Sequence, residues 1–242
     1  MGGRGSAGAL SRHLRNGREA DASRLPGALL KRSFFEASPE EVAPRLLGRL
    51  LARRSDEGVL AGRIVEVEAY LGPHHDPPDP AAHAHRGPTP RNSVLFGPAG
   101  HAYVYSIYGQ YFCMNISCEA EGLAGCVLLR ALEPVTGWEE MARNRGLAAC
   151  VAAHQLASGP SRLCLALAIT RAEHNGIDLL DAASPLQVRD DGFRVSEALV
   201  TPRVGIRHAA DRLLRFAAPD CDCVSGPKPG AKGFKGVRVA VC

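Results

Sequence analysis

Lysine is nearly missing from this chain. Of its 29 basic residues only Lys31, Lys228, Lys232 and Lys235 are lysine, and none stands between Lys31 and Lys228. Over that span, any mechanism that needs a lysine amine to form a Schiff base is excluded. Aromatic residues are scarce as well, 5% of the chain with one tryptophan. The crowding of Tyr103, Tyr105, Tyr108 and Tyr111 into one short stretch, with Tyr70 the only other tyrosine, therefore stands out. No apolar run approaches the length of a membrane span. There is no internal repeat and no His-Glu-x-x-His pattern. Cys221 and Cys223 form a lone Cys-x-Cys with no second pair at zinc-site spacing, which argues against a structural zinc. Other cysteines, as in "YFCMNIS" and "RLCLALAI", lie in apolar runs and read as small buried thiols of a reducing compartment. The N-terminus lacks the apolar core of a secretory signal. Its Arg4, Arg12, Arg15 and Arg18 leave a mitochondrial-type presequence open.

What is present is 242 residues, 45% of them hydrophobic, enough for one large core without covalent staples. The net charge of +4 is compatible with a nucleic-acid partner and does not specify one. Residues 1–24, rich in Gly, Ser, Ala and Arg, read as a disordered basic arm. Residues 25–218 carry the periodic apolar patterns of a folded domain, and the Gly/Pro/Lys-rich 219–242 reads as an irregular tail. Ser38, Pro39 and Glu41 form a helix start, with Val42, Leu46, Leu47, Leu50 and Leu51 on one face. "GRIVEVEAYLG" (62–72) reads as a strand. Period-two alternation puts Val65, Val67, Ala69 and Leu71 on one face, and Ile64, Glu66, Glu68 and Tyr70 on the other. The plain reading of the second face is a solvated one. The alternative is a catalytic acid beside an aromatic wall.

The proline-rich loop that follows holds His74, His75, Asp76, Asp79, His83 and His85. These are metal-ligand types, but Pro77, Pro78 and Pro80 break any helix that would present them on one face, so the expectation is no metal. "HAYVYSIYGQYFCMNIS" predicts a hairpin turning at Tyr108–Gly109, with Tyr103 and Tyr105 on one face. Ordinary sheet packing accounts for Tyr103 and Tyr111, whereas a tyrosine at a turn is hard to bury and could wedge between bases. "GCVLLRALEP" predicts a buried strand whose Arg130 must meet a carboxylate or a cleft. Asn115 poses the same question. Thr136 is placed to cap a short helix through Arg145, and a second helix follows "SGPS".

Taken together, "GRIVEVEAYLGP", "AAHAHRGPTPRN", "AYVYSIYGQYFCMNIS", "CVLLRALEP", "SGPSRLCLALAI" and "RVGIRHA" resemble, in order, the alkyladenine (3-methylpurine) DNA glycosylase family. The resemblance implies a mixed α+β single domain: a curved, largely antiparallel sheet with surrounding helices and a protruding β-hairpin. It implies a monofunctional glycosylase that flips alkylated or deaminated purines out of duplex DNA and hydrolyses the N-glycosidic bond, leaving an abasic site. Its candidates are 3-methyladenine, 7-methylguanine, hypoxanthine and ethenoadenine. Glu68 matches the catalytic carboxylate and Arg130 the arginine that helps hold the water and flipped nucleotide. Tyr70, His83 and Tyr105 match the base pocket, Asn115 the residue that rejects guanine, and Tyr108 the intercalating tyrosine. The segment before His83 is longer than usual, which leaves His85 as the alternative. Pro88 stands where arginine is common, and Gln110 where methionine is usual. Thr89, Arg86 and Arg91 are candidate backbone contacts, as are Arg143, Arg145 and Arg162. The expected partner is double-stranded DNA bearing a damaged purine, bound by a monomer without cofactor or membrane, in the cytoplasm of a bacterium or the nucleus or mitochondria of a eukaryote. Two rivals remain: a non-cleaving damage-binding protein, and a metal-dependent hydrolase using the histidine loop.

Overall fold

The computed structural model describes residues 24–226 and 236–241. The predicted basic arm lies outside them except for Arg24. The first helix, α1 (Pro39–Leu46), starts where the sequence places it, with the Ser38 hydroxyl accepting from the Glu41 N–H. It ends sooner than its apolar pattern suggests. Gly48 adopts φ +86°, a left-handed conformation that stops a helix, and its N–H turns to the Ile64 carbonyl. Leu50 and Leu51 therefore belong to a strand, β2 (Leu50–Ser55), after the short β1 (Ala28–Leu29).

The sheet is built on β3 (Gly58–Tyr70), flanked along most of its length by β6 (Gly125–Thr136). The hairpin β4 (Ala102–Ile107) and β5 (Tyr111–Cys118) extends the sheet from β6, and β7 (Leu186–Asp190) from β2. The strand order is β1-β7-β2-β3-β6-β5-β4, and every pairing is antiparallel. On its other edge β3 exchanges partners midway. Its first half pairs with β2, while Glu66 to Glu68 pair with β9 (Arg215–Ala217), which leads on to β8 (Glu197–Thr201) and β10 (Val237–Ala240). The last strand falls where composition predicts an irregular tail. Around the sheet stand α2 (Trp138–Asn144), α3 (Ala153–Ala157), α4 (Pro160–Ala166) and α5 (Arg171–His174). Thr136 closes β6, and Gly137, at φ +81°, stands at the cap of α2. Among the described residues no helix is long and apolar enough to cross a membrane.

The exchange of partners has a local cause. The register of β3 against β6 shifts between Ile64 and Glu66 and again between Glu66 and Val67, a β-bulge. Strict alternation fails there. Ile64 joins Val67, Ala69 and Leu71 in the main core, and Val65 turns to a satellite cluster with Ala131, Ala217 and Cys223. Beyond the bulge the predicted faces return. The solvated reading of the acidic face does not hold: Glu66 and Glu68 are both 0% exposed.

Candidate active site

Two buried carboxylates on one strand are tolerable only if cations meet them. Arg130, opposite on β6, spans both: its Nε donates to Glu66 Oε1 at 2.8 Å, and its Nη1 lies 3.1 Å from Glu68 Oε1. Arg215, brought in by β9, donates to Glu66 Oε1 at 2.6 Å, and the Ser225 N–H reaches Glu66 Oε2 at 2.6 Å. The cluster thus sets two guanidiniums against two carboxylates. Glu66 is enclosed by these donors. Glu68 instead faces a cavity of about 360 Å³, of small-ligand size, held in place by the Val204 N–H on Oε1 (2.8 Å) and the Tyr70 hydroxyl on Oε2 (2.9 Å). Burial, then the negative charge of Glu68, raises the Tyr70 phenol well above its ordinary pKa. Tyr70 is therefore a neutral donor at physiological pH.

Tyr70, His83, Tyr105, Asn115, Tyr108 and Arg130 line the same cavity as Glu68. Tyr103 and Tyr105, two residues apart on β4, stack with ring centroids 5.4 Å apart. His83 meets Tyr105 edge-on at 4.5 Å, and its Nδ1 is 3.0 Å from the Tyr103 hydroxyl. His83 reaches solvent on one side. Even so, partial burial of the ring, then the nearby charge of Arg91, lowers its pKa, which favours the neutral imidazole. The loop carrying it is pinned by buried Asn92, which donates to the His83 and Gly87 carbonyls and accepts from the Thr89 N–H and hydroxyl. Thr89 thus closes the "TPRN" turn, while Arg86 and Arg91 stay exposed. His85 does not line the cavity.

Asn115 is 5% exposed, and its Oδ1 is buried without a hydrogen-bond partner. A polar atom left unpaired at a cavity wall costs stability unless a ligand meets it. Tyr108 is the opposite case, 91% exposed at the hairpin tip with φ +49°. That conformation is unfavourable for a bulky residue and points to function. Tyr111, read as packed, is 38% exposed. Its side chain is not part of the sheet packing that buries Tyr103.

Sequence reasoning missed the supports behind the cavity. Asp79, grouped above with the loop's possible metal ligands, is fully buried and clamps Arg203 through two bonds of 2.5 and 2.9 Å. The Arg203 guanidinium lies over the Tyr70 ring, 4.5 Å from its centroid, and the next residue supplies the Val204 N–H to Glu68. "RVGIRHA" carried that signal as an arginine in a bend.

Comparison with known sequences decides the family. The model of the methylpurine-DNA glycosylase (MPG) family matches residues 33–222. This chain belongs to that family. Curated relatives named "Putative 3-methyladenine DNA glycosylase" include one from Koribacter versatilis, 50% identical over 201 residues, 83% of this chain and 95% of the relative. Another, from Burkholderia lata, is 44% identical over 207 residues, 85% of this chain and 95% of its own. A third, from Rhodopseudomonas palustris strain CGA009, is 47% identical over 203 residues, covering 84% and 91%. Membership in a methylpurine-DNA glycosylase family implies DNA as substrate, hydrolysis of N-glycosyl bonds, and a place in base excision repair. The match takes in the bulged strand, the hairpin and the Arg203 bend, and so every residue that lines the cavity.

Proposed function

We propose that this chain releases alkylated and deaminated purines from duplex DNA by swinging the nucleotide into the aromatic cavity and hydrolysing its bond to the sugar. The observation that carries the reading is the buried Glu68 carboxylate, fixed by three donors and open only to a cavity walled by Tyr70, His83 and Tyr105. Extrusion of a nucleotide costs a few kcal/mol, least at a damaged pair. Stacking on aromatic side chains returns roughly 1–3 kcal/mol per base. A cationic alkylpurine gains further from the tyrosine faces. Asp79 neutralises Arg203 on the outer side of Tyr70, which limits that guanidinium's opposition to a second cation on the inner face. Exposed Tyr108 fills the gap in the duplex. Base departure leaves an oxocarbenium-like sugar. Glu68 stabilises it and takes a proton from the attacking water, and Arg130 holds the carboxylate in place. Without a lysine nucleophile in the central span, the product is an unbroken abasic strand. Arg86, Arg91 and Thr89 contact phosphates of the bound duplex, and the enzyme acts as a monomer with no cofactor in the chemical step.

The test is alkaline cleavage of duplex oligonucleotides bearing 3-methyladenine, 7-methylguanine, hypoxanthine or ethenoadenine after incubation with the protein. Alkali-dependent breaks at the lesion are expected. Their absence on all four substrates, or breaks without alkali, would overturn the reading. Asn115→Ala, which enlarges the cavity beside the base edge, is expected to increase release of guanine-type bases relative to hypoxanthine. Unaltered discrimination would remove Asn115 from selectivity.

A further inference from the structure

The loop after β3 and the β5–β6 turn bring together three side chains that do not line the cavity. His74 Nε2 lies 3.0 Å, and His75 Nε2 2.8 Å, from one and the same oxygen, Glu119 Oε1. The donor atoms of all three fall within 4.8 Å of one another, the one such group of three among the described residues. Glu119 differs from the other buried acids. Glu66 meets Arg130 and Arg215, Glu68 meets Arg130, and Asp79 meets Arg203. Among the described residues, the ion-pair partners of Glu119 are the two histidines alone, although it is only 7% exposed. Its Oε2 is buried with no hydrogen-bond partner. Neutral imidazoles donate one hydrogen bond each and supply no charge. Beside neutral imidazoles a buried carboxylate has no counter-charge unless a cation joins them.

The surroundings make room for this arrangement. A Cβ on Gly125 would lie 2.2 Å from Glu119 Oε2, and one on Gly72 would lie 2.7 Å from the His74 ring. Glu119 itself sits at φ +73°, an unfavourable backbone for glutamate, with its N–H held by the Phe35 carbonyl. The imidazoles retain access to solvent, with 31% and 19% of their side chains exposed.

We propose that His74 Nε2, His75 Nε2 and the Glu119 carboxylate bind a divalent transition-metal ion, with water completing the shell. Two imidazoles and a carboxylate suit zinc. Zinc–ligand lengths of about 2.0–2.2 Å imply tetrahedral edges of roughly 3.3–3.6 Å, so the two histidine–glutamate distances would lengthen by about half an ångström. The histidine nitrogens, within 4.8 Å of each other, would adjust toward the same edge. The metal would supply the missing positive charge and tie the 74–75 loop to the β5–β6 turn. That loop continues into Asp79, which holds Arg203 behind Tyr70. The ion is thus a brace for the cavity wall, outside the chemical step.

The test uses the full chain, purified without a histidine tag and stripped with chelator. Zinc is titrated against a chromophoric competitor, and cobalt is followed by its visible absorption. One equivalent of zinc, a raised melting temperature and tetrahedral cobalt bands are expected. His74→Asn and His75→Asn, on solvent-accessible side chains, should each weaken zinc at least tenfold, while the Cys221→Ser/Cys223→Ser double variant keeps the stoichiometry. No saturable binding at micromolar zinc would overturn the proposal. So would equal binding by both histidine variants, loss of binding with the cysteine pair, or a melting temperature that follows pH and not metal. None of these readouts depends on base release.

Discussion

Glu68→Gln is expected to lower base release by about 10²–10⁴-fold, the usual contribution of a positioned general base, while binding to a duplex with a neutral lesion such as hypoxanthine stays near the parental level. The amide fits the site. Its oxygen can take the place of Oε1 and keep the Val204 N–H and Arg130 contacts, and its nitrogen can donate to a Tyr70 hydroxyl turned to accept. What is lost is the negative charge and the proton acceptor. Binding of a cationic alkylpurine should therefore weaken more than binding of a neutral one. Single-turnover release and gel-shift affinity, measured on the same oligonucleotides, separate the two effects. A variant that releases hypoxanthine at the parental rate removes Glu68 from the chemical step. One that no longer binds lesion DNA shows that the carboxylate serves mainly to hold the cavity open. The same pair of measurements addresses the non-cleaving rival, since a protein that only binds damage would give no release in either form. Undiminished release after chelation, well below the melting temperature, would dispose of the metal-dependent one.

The family and the hairpin were legible in the sequence because long motifs and β-prone runs about a Tyr-Gly turn are local properties, and the antiparallel sheet came with the resemblance. Glu68, Tyr70, Tyr105, Asn115 and Arg130 were placed together by resemblance, and they share one cavity because they stand on the successive strands β3, β6, β5 and β4 of the sheet. What escaped was non-local. The bulge at Ile64–Val67 depends on a register shift against β6, and alternation along a single strand carries no sign of it. Asp79 was grouped with residues of metal-ligand type because its neighbours are histidines, and its actual partner, Arg203, is 124 residues away. The converse holds for His74 and His75, whose third potential ligand, Glu119, lies 45 and 44 residues downstream. A search for ligands inside the loop could not have found it. Leu50 and Leu51 continued a helical pattern that a left-handed Gly48 interrupts.

Arg215→Met tests the remaining non-local element. Arg215 is fully buried on β9, donates to Glu66 and Thr201, and reaches the Ser225 carbonyl. Removing it leaves two carboxylates facing one guanidinium in a dry interior. Breaking a buried pair from one side costs about 3–5 kcal/mol. At roughly 2–4 °C per kcal/mol for a domain of this size, the melting temperature should fall by about 6–20 °C. The double variant Glu66→Gln/Arg215→Met restores the charge balance, leaving Glu68 with Arg130, and should recover more than half of that loss, because replacing both partners of a buried pair is far less harmful than replacing one. Calorimetry of the two variants decides the matter. A single variant within about 2 °C of the parent, or a double variant no better than the single, would mean that Glu66 does not depend on Arg215. The brace keeping the bulged strand in register would then have to be sought in Arg130 and the Ser225 N–H. If the recovery is seen, Glu66 is the structural acid of the pair. The bulge then has a physical purpose: it buries one carboxylate among donors so that the other, two residues on, can face the cavity.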